Sequence, residues 1–345
     1  MRFELGVYSF GVAGRNLEGE TVTTAQAVRN LLEQIRVAEE VGLDFFGVGE
    51  HHTPSMPVSS PAAVINAAAA MTTRITLSTA VSVLSTDDPI RLYQQMATAA
   101  IVSGDRVEII AGRGSSTESF GLFGYDLGDY DLLYADKLGL LLAINESEQV
   151  SWDSSLRPPL RDAVVVPRPE RPMKIWLGTG GSPGSTVRAG EAGLPVSYGI
   201  LSGTPEHWGR MGALYRQATA QAGHDAGTLG ISVAGHGFIG MDGGDAKAQF
   251  FRHEQAAYAA SGRFAAPSWE QAAANYSPGG MVFAGDPSEI ADRIIDLHAH
   301  LGHRRHFLQM DIGGMRHADV LRSIELLGTQ VAPRVHAELD NGATA

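Results

Sequence analysis

Three polar, glycine-rich segments each follow a short apolar run, and they carry most of the residues that could do chemistry. Segment 49–53 contains a glutamate followed by two histidines, segment 112–114 places an arginine between two glycines, and segment 178–183 is mostly glycine, threonine and serine. Imidazole and guanidinium groups can move protons or bind anions. Because the ends of parallel strands meet at one face of a sheet or barrel, we expect the three segments to form one site.

Segment 178–183 has the residues of a phosphate site. Ser182 followed by a proline predicts the start of a helix, where free N–H groups and the helix dipole favour an anion. The pattern is neither a P-loop nor a good Rossmann fingerprint, and a flexible glycine-rich connection is the alternative. Arg113 could bind the same phosphate through two hydrogen bonds, or it could form a surface ion pair with Glu108 or Glu118.

His51 and His52 are candidates for acid–base groups, metal ligands or hydrogen-bond donors to a cofactor. Adjacent side chains on an extended segment point to opposite sides, so the two rings do not easily share one ion. We therefore expect one imidazole at the site, the other in a structural hydrogen bond, and no metal. His236 could be an interior or a pocket residue. The histidines within 298–306 fit a helix C-terminus better than a metal site.

Composition excludes several classes of function. Of the 345 residues, 44% are hydrophobic and 19% are charged, and the net charge of -12 argues against nucleic acid or an anionic membrane as partner. The chain has no cysteine, which excludes disulfides and thiolate nucleophiles. No signal peptide or membrane-spanning apolar run is evident. We predict a cytoplasmic protein.

Short apolar runs alternate with amphipathic segments, which predicts alternating strands and helices. The predicted strands are 3–10, 45–48, 74–84, 107–111, 174–177, 195–200, 231–239 and 306–312. Eight strands that alternate with helices favour an α/β fold, a (β/α)8 TIM barrel, over a doubly wound sheet. We expect one domain, 1–335, and a C-terminal tail, 336–345.

Two insertions interrupt this rhythm. Five prolines within 150–172 forbid a long helix and favour a small hairpin or loop. Segment 242–280 is longer and has helical character. Either insertion could cover the mouth of the barrel or be passive surface structure.

The chain resembles the bacterial luciferase-like, flavin-dependent monooxygenases, in an uncharacterised oxidoreductase branch. The resemblance runs to about Pro333, and its motifs are fairly specific in their order and spacing. They are segments 38–44, 48–52, 60–61, 75–81, 88–91, 112–114, 180–183 and 321–328. It implies a TIM barrel with FMN at its C-terminal mouth, and a reaction in which reduced FMN and oxygen oxygenate a small organic substrate.

The resemblance also implies roles for individual residues. Arg113 and the turn 180–182 would hold the FMN phosphate, Ala80 and Val81 would back the flavin ring at a frequent non-proline cis peptide, and His51 matches the catalytic histidine. The predicted catalytic residues are His51 and His52, and the predicted cofactor-binding residues are Ala80, Val81, Arg113, Gly178, Thr179, Gly180, Gly181 and Ser182.

Other functions stay open. Luciferases carry a reactive cysteine where this chain has Gly112, so light emission is not expected. A branch of the family uses the deazaflavin F420 for hydride transfer, although the Glu-His-His pattern is closer to the FMN members. A metal-dependent hydrolase using His51, His52 and His236 and a non-catalytic flavin-binding barrel are further alternatives.

The resemblance also suggests partners. The reduced FMN would come from a separate flavin reductase or from NAD(P)H. A homodimer or higher homo-oligomer is expected, with the alanine-rich segment 62–71 as a candidate interface.

Overall fold

In the computed structural model, which describes residues 2–114, 116–261 and 265–340, eight parallel strands close into a barrel. The (β/α)8 prediction is confirmed. The sheet strands are β1 (Glu4–Ser9), β2 (Phe45–Val48), β3 (Thr76–Thr79), β4 (Val107–Gly112), β5 (Lys174–Thr179), β6 (Val196–Ile200), β7 (Ile231–Ile239), β8 (Val282–Gly285) and β9 (Arg305–Gln309). The barrel consists of β1 to β7 and β9, because β9 pairs with both β7 and β1.

Helices surround the barrel. They are α1 (Thr24–Glu40), α2 (Pro61–Met71), α3 (Pro89–Ser103), α4 (Glu118–Phe123), α5 (Tyr130–Glu146), α6 (Pro183–Glu191), α7 (Pro205–Gln221), α8 (Gly243–Ser261), α9 (Trp269–Tyr276), α10 (Pro287–Leu301), α11 (His317–Leu326) and α12 (Ala332–Leu339). Among the described residues, none of these helices has the length and apolar character needed to span a bilayer.

Several helices begin at a side-chain cap that is followed by a proline, and the cap at Ser182 is the one expected from the sequence. The side chains of Asp88, Ser182 and Asp286 each accept backbone N–H groups of the first turn, and a proline follows each cap. A side-chain oxygen satisfies N–H groups that have no partner within the helix, and proline is preset for the first helical position. These caps fix where α3, α6 and α10 start at the barrel mouth.

The predicted strand 74–84 is wrong in its second half. Regular pairing stops at Thr79, the Ala80–Val81 peptide is cis, and the two residues Ser82–Val83 then pair with Ala111 and Gly112 of β4. The alternation of apolar and polar residues continues through this break, so periodicity does not reveal it. The cis peptide lies where the resemblance implied one.

Strand β8 is absent from the prediction. Its four residues, Val282–Gly285, pair with the C-terminal half of β7, whereas the N-terminal half of β7 pairs with β9. The strand lies directly between the predicted helical insertion and the cap of α10, so a run of four apolar residues looks like a short connection.

The two insertions take different forms. Residues Gln149–Ser154 and Arg157–Val164 form an antiparallel hairpin, as predicted. The segment between β7 and β8 contains α8 and α9, in line with its predicted helical character, and residues 262–264 lie outside the described part of the chain. The predicted tail boundary at 336 falls within α12, and residues 341–345 also lie outside the described ranges.

Aromatic and charged residues fill the barrel interior. One apolar cluster contains Tyr8, Phe45, Ala80, Ile110, Trp176 and Phe307. Below it the guanidinium of Arg305 is fully buried and binds the carboxylates of Glu4 and Glu108 at 2.6 Å each. Burial alone would raise the pKa of Glu108, but Arg305 and other neighbours hold it below its ordinary value. Buried aromatic and charged side chains therefore fill the barrel below its mouth.

Candidate functional site

A cavity of about 460 Å³ opens at the C-terminal ends of the barrel strands. Its volume lies in the range of small-molecule sites. Eight of the ten predicted site residues line it: His51, His52, Ala80, Val81, Arg113, Gly178, Thr179 and Gly180. Gly181 and Ser182 lie just beyond the lining, at the start of α6. The structure therefore brings the three segments together, as expected.

The floor of the cavity is built around Val81. A Cβ atom added to Gly112 would lie 2.5 Å from a methyl group of Val81, and one added to Gly178 would lie 2.8 Å from the other methyl group. Positions 112 and 178 therefore accept only glycine while Val81 occupies this place. This part of the lining is apolar and is continued by Tyr8, Ala80 and Ile110.

Arg113 lies beside the first turn of α6. Its Nη2 donates to Ser185 Oγ at 3.4 Å, and its Nη1 donates to Asp131 Oδ1 at 2.7 Å. The ion pair is therefore with Asp131, and not with Glu108 or Glu118. The carboxylate of Asp131 is mostly exposed. A guanidinium next to a helix N-terminus can bind an anionic group.

The glycine-rich turn before α6 is closed by its own side chains. Thr179 Oγ1 accepts the N–H of Gly181, and Ser182 Oγ accepts the N–H of Ser185. Gly181 has a φ of +86°, and a Cβ there would lie 2.5 Å from the ring of Trp208. Only glycine can make this turn, which keeps the helix start close to the cavity.

His51 is held by a carboxylate. Its Nδ1 lies 2.7 Å from Glu118 Oε1, and its ring lies 4.9 Å from that of Phe10. Burial tends to raise the pKa of Glu118, but the hydrogen bond with His51 leaves it below the ordinary value. A carboxylate at Nδ1 fixes the ring and leaves Nε2 for a ligand.

His52 has a different carboxylate partner. Its Nε2 lies 3.0 Å from Glu50 Oε1, while Glu50 Oε2 accepts the backbone N–H of Val83 at 2.9 Å. The hydrogen bond with Glu50 raises the pKa of His52, and burial together with nearby Glu50 raises the pKa of Asp87 to about 6. Glu50 therefore ties the histidine segment to the backbone beside the floor, in line with the structural hydrogen bond expected for one of the two rings.

His236 also lines the cavity. Its Nδ1 lies 3.8 Å from Glu254 Oε1, and Glu254 Oε2 accepts the hydroxyl hydrogen of Tyr276 at 2.8 Å. His51, His52 and His236 thus each face a different carboxylate. Among the described residues, no group of three or more histidine, aspartate or glutamate side chains is arranged to hold a metal ion.

Sequence reasoning missed several cavity residues. Phe10 and Tyr8 follow from the end of β1, which a reading of strand ends could have included. Glu118 and Tyr130 are the first residues of α4 and α5, in the segment after β4, and Gln309 lies at the end of β9. Their contribution depends on the path of that segment and on barrel closure, which no local pattern encodes.

Comparison with known proteins agrees with this geometry. The sequence model of the luciferase-like monooxygenase family matches residues 6–305. The monooxygenase RslO1 from Streptomyces bottropensis superposes with a TM-score of 0.81 at 21% identity, covering 96% of this chain and 99% of that chain. The oxygenating constituent of 3,6-diketocamphane monooxygenase from Pseudomonas putida, in complex with FMN, superposes with a TM-score of 0.75 at 18% identity, covering 97% and 99%.

One of the curated relatives is named for a different cofactor. The F420-dependent glucose-6-phosphate dehydrogenase of Amycolatopsis mediterranei is 29% identical over 175 residues, 48% of this chain and 51% of that protein. The chain spans between 51% and 64% of the length of the curated relatives that it matches.

Proposed function

Because the chain belongs to the luciferase-like monooxygenase family and is an enzyme of that family, we propose that it is an FMN-dependent monooxygenase. It would use reduced flavin and O2 to oxidise a small organic substrate. The observation that carries the proposal is the position of Arg113, whose guanidinium lies 3.4 Å from Ser185 in the first turn of α6 and lines the same cavity as the apolar floor around Val81. A phosphate and a planar ring need these two surfaces side by side.

The residues of the cavity fit FMN. Arg113 and the N–H groups at the start of α6 would bind the phosphate, and Thr179 to Ser182 would shape the turn around it. Ala80 and Val81 would support one face of the ring, because glycines 112 and 178 leave that surface free of other side chains. The bound FMN would supply electron transfer and oxygen activation.

His51 would act next to the ring. Glu118 holds its Nδ1, so Nε2 can accept or donate a proton at the reacting centre. Phe10, packed against the same imidazole, keeps one side of it away from water. Glu50 would hold His52 and the backbone of Val83 in place, so His52 would form part of the cavity wall without taking part in the reaction.

An F420-dependent hydride-transfer enzyme is the second candidate, because the curated F420-dependent relative matches about half of the chain. The two candidates differ in whether oxygen is consumed. In the FMN case the reduced flavin would come from a reductase partner or from NAD(P)H. In the F420 case no oxygen is needed.

Flavin binding tests the proposal. The protein is titrated into FMN and, separately, into F420, and the fluorescence of each is followed. We expect quenching of FMN, and a loss of affinity of about 10- to 100-fold in Arg113→Ala because a charge-assisted hydrogen bond disappears. The matched control is Arg161→Ala, which removes an arginine from an exposed ion pair with Asp153 on the hairpin.

The outcomes separate the candidates. Tight binding of F420 without FMN binding would favour hydride transfer, and binding of neither would contradict both. Oxygen uptake that requires reduced FMN and a substrate would favour the monooxygenase. Equal FMN affinity in Arg113→Ala and the wild type would mean that the phosphate binds elsewhere.

We also propose a homodimer formed through α2 and α3, which pack on each other. Met71, Ile101 and Val102 at the ends of these helices are about half exposed although they are large and apolar. Light scattering after size exclusion tests this proposal. Ile101→Asp should shift the mass towards a monomer, whereas a monomeric wild type would contradict it.

A further inference from the structure

The proposed flavin site leaves one histidine of the cavity without a role. His236 lies on β7 and its side chain reaches the same cavity as His51. Within the barrel, β1 and β9 separate β7 from β2, the strand that precedes His51. The two imidazoles therefore enter the cavity from different sides. Arg113 follows β4 and the phosphate turn follows β5, and β6 separates β5 from β7, so His236 enters the cavity from a third side.

Helices α8 and α9 place a carboxylate beside His236. Glu254, on α8, is buried and lies 3.8 Å from His236 Nδ1, which is within ion-pair distance when the imidazole is protonated. Tyr276, on α9, donates its hydroxyl hydrogen to the other oxygen of Glu254 at 2.8 Å. A carboxylate on the Nδ1 side orients the ring so that Nε2 is the atom presented to a ligand.

A polar side chain lies beside His236. Gln309 of β9 is its register partner across the parallel pair and also lines the cavity. The amide nitrogen of Gln309 donates to Asp311 Oδ1 at 3.2 Å, and Ser9 Oγ donates to Asp311 Oδ2 at 2.5 Å. One N–H of the Gln309 amide is used by Asp311, so the carbonyl oxygen of Gln309 can accept and its second N–H can donate a hydrogen bond.

The geometry points to His236 as the residue that binds an oxygen substituent of the substrate, a hydroxyl or a carbonyl, in the part of the cavity that it shares with Gln309. The inference rests on the proposed function, because it assigns the substrate part of the same cavity. A neutral ring accepts a hydrogen bond from a hydroxyl at Nε2, and a protonated ring donates one to a hydroxyl or carbonyl oxygen. Gln309 provides the second contact, to a hydroxyl hydrogen.

Charge argues for a neutral substituent over an anionic one. A protonated His236 faces the carboxylate of Glu254, so the pair carries no net charge to attract an anion. Among the described residues that line the cavity, the only arginine or lysine is Arg113, which lies beside the start of α6 and is the cation suited to an anionic group.

Three probes of similar shape test the inference: cyclohexanol, cyclohexanone and methylcyclohexane. Their binding to the FMN-loaded protein is measured by saturation-transfer NMR, after the FMN affinity of each protein has been determined. We expect the two oxygen-bearing probes to bind at least about fivefold more tightly than methylcyclohexane, the effect of one hydrogen bond. His236→Ala should abolish that preference and leave FMN affinity within about twofold of the wild type.

Conservative variants separate a binding role from a structural one. His236→Gln retains a donor and an acceptor and should keep part of the preference. Glu254→Gln keeps the shape of the side chain and should reduce the preference, because the ring loses its charged partner. The matched control is Glu18→Gln, since Glu18 lies 3.8 Å from His253, a neighbour of Glu254 on α8 whose side chain does not line the cavity.

The two possible failures are distinguishable. A wild type that does not bind FMN contradicts the proposed function. A wild type that binds FMN but shows no preference for the oxygen-bearing probes overturns the inference, and so does a preference that survives in His236→Ala. If cyclohexanol alone is preferred, the substituent is a hydroxyl, and if cyclohexanone is preferred equally, the site also accepts a carbonyl.

Discussion

Val81 occupies the space that a side chain at position 112 would need: a Cβ on Gly112 would lie 2.5 Å from Val81 Cγ2. Luciferases, which the chain resembles, carry a cysteine at this position. A cysteine, the residue that the resemblance implies here, would bring its Cβ against the same methyl group of Val81. One residue forms the floor of the cavity because the other has no side chain.

Gly112→Ala should disturb this floor. The added methyl group must displace Val81 or the backbone of β4, and overpacking of this kind costs about 1–3 kcal/mol. We expect a lower melting temperature and weaker FMN binding. Adding Val81→Ala removes the 2.5 Å contact and should restore part of the stability. Gly121→Ala on α4 meets no atom within 4 Å and serves as control. Unchanged melting and FMN affinity in Gly112→Ala would contradict the prediction.

Asp131 competes for the guanidinium of Arg113. It lies 2.7 Å from Nη1, and its side chain is 70% exposed, so the pair is a weak one. Asp131→Asn should free the guanidinium and tighten FMN binding by up to about fivefold, more at low than at high salt. The control is Asp153→Asn, which breaks the exposed pair with Arg161. A weaker affinity in Asp131→Asn would show that this carboxylate helps to position the arginine.

The charged cluster below the cavity should dominate stability. Glu108→Ala leaves the buried guanidinium of Arg305 without its main partner, and breaking a buried pair costs about 3–5 kcal/mol. Glu4→Ala on the same guanidinium should cost less, because Glu4 is 39% exposed and water can take its place. Urea unfolding gives both values, and equal costs for the two variants would contradict this ranking.

Two buried histidines should make the protein sensitive to acid. The Nδ1 atom of His306 lies 3.3 Å from the Nε2 atom of His303. Burial lowers the pKa of His306 to about 3 and lowers the pKa of His303 well below its ordinary value. In the unfolded chain both rings bind protons below about pH 6.5. The unfolded state then holds more protons than the folded one, so stability is retained above that pH and is lost as the pH falls towards 3.

His306→Leu tests this pH dependence. Urea unfolding between about pH 6 and pH 4.5 should show a slope smaller by up to about 1.4 kcal/mol per pH unit than in the wild type. The same substitution at the partly exposed His300 serves as control. If the slope does not change in His306→Leu, other titratable groups cause the loss of stability at low pH.

The sequence allowed the barrel and much of its mouth to be predicted, because strand–helix alternation and polar strand ends are local patterns. It did not allow the partners of the polar residues to be predicted. Arg113 was expected to bind a phosphate or to pair with Glu108 or Glu118, yet its partner is Asp131. Glu118 and Asp131 lie on α4 and α5, and their neighbours depend on how that segment crosses the mouth.

Strand prediction failed at two places for related reasons. Apolar and polar residues continue to alternate through the cis peptide at 80–81, so their pattern does not show that the strand ends there. Strand β8 exists only because β7 is long enough to pair with β9 and β8 in succession. Neither feature is visible in the local pattern of apolar and polar residues.

The support of His236 comes from α8 and α9, a segment outside the eight-strand framework, whereas the floor and the anion site belong to the framework itself. Substitutions in that segment could therefore change the substrate preference without changing the residues that would bind the flavin. Close homologues that differ mainly between β7 and β8 would then bind the same cofactor and act on different substrates.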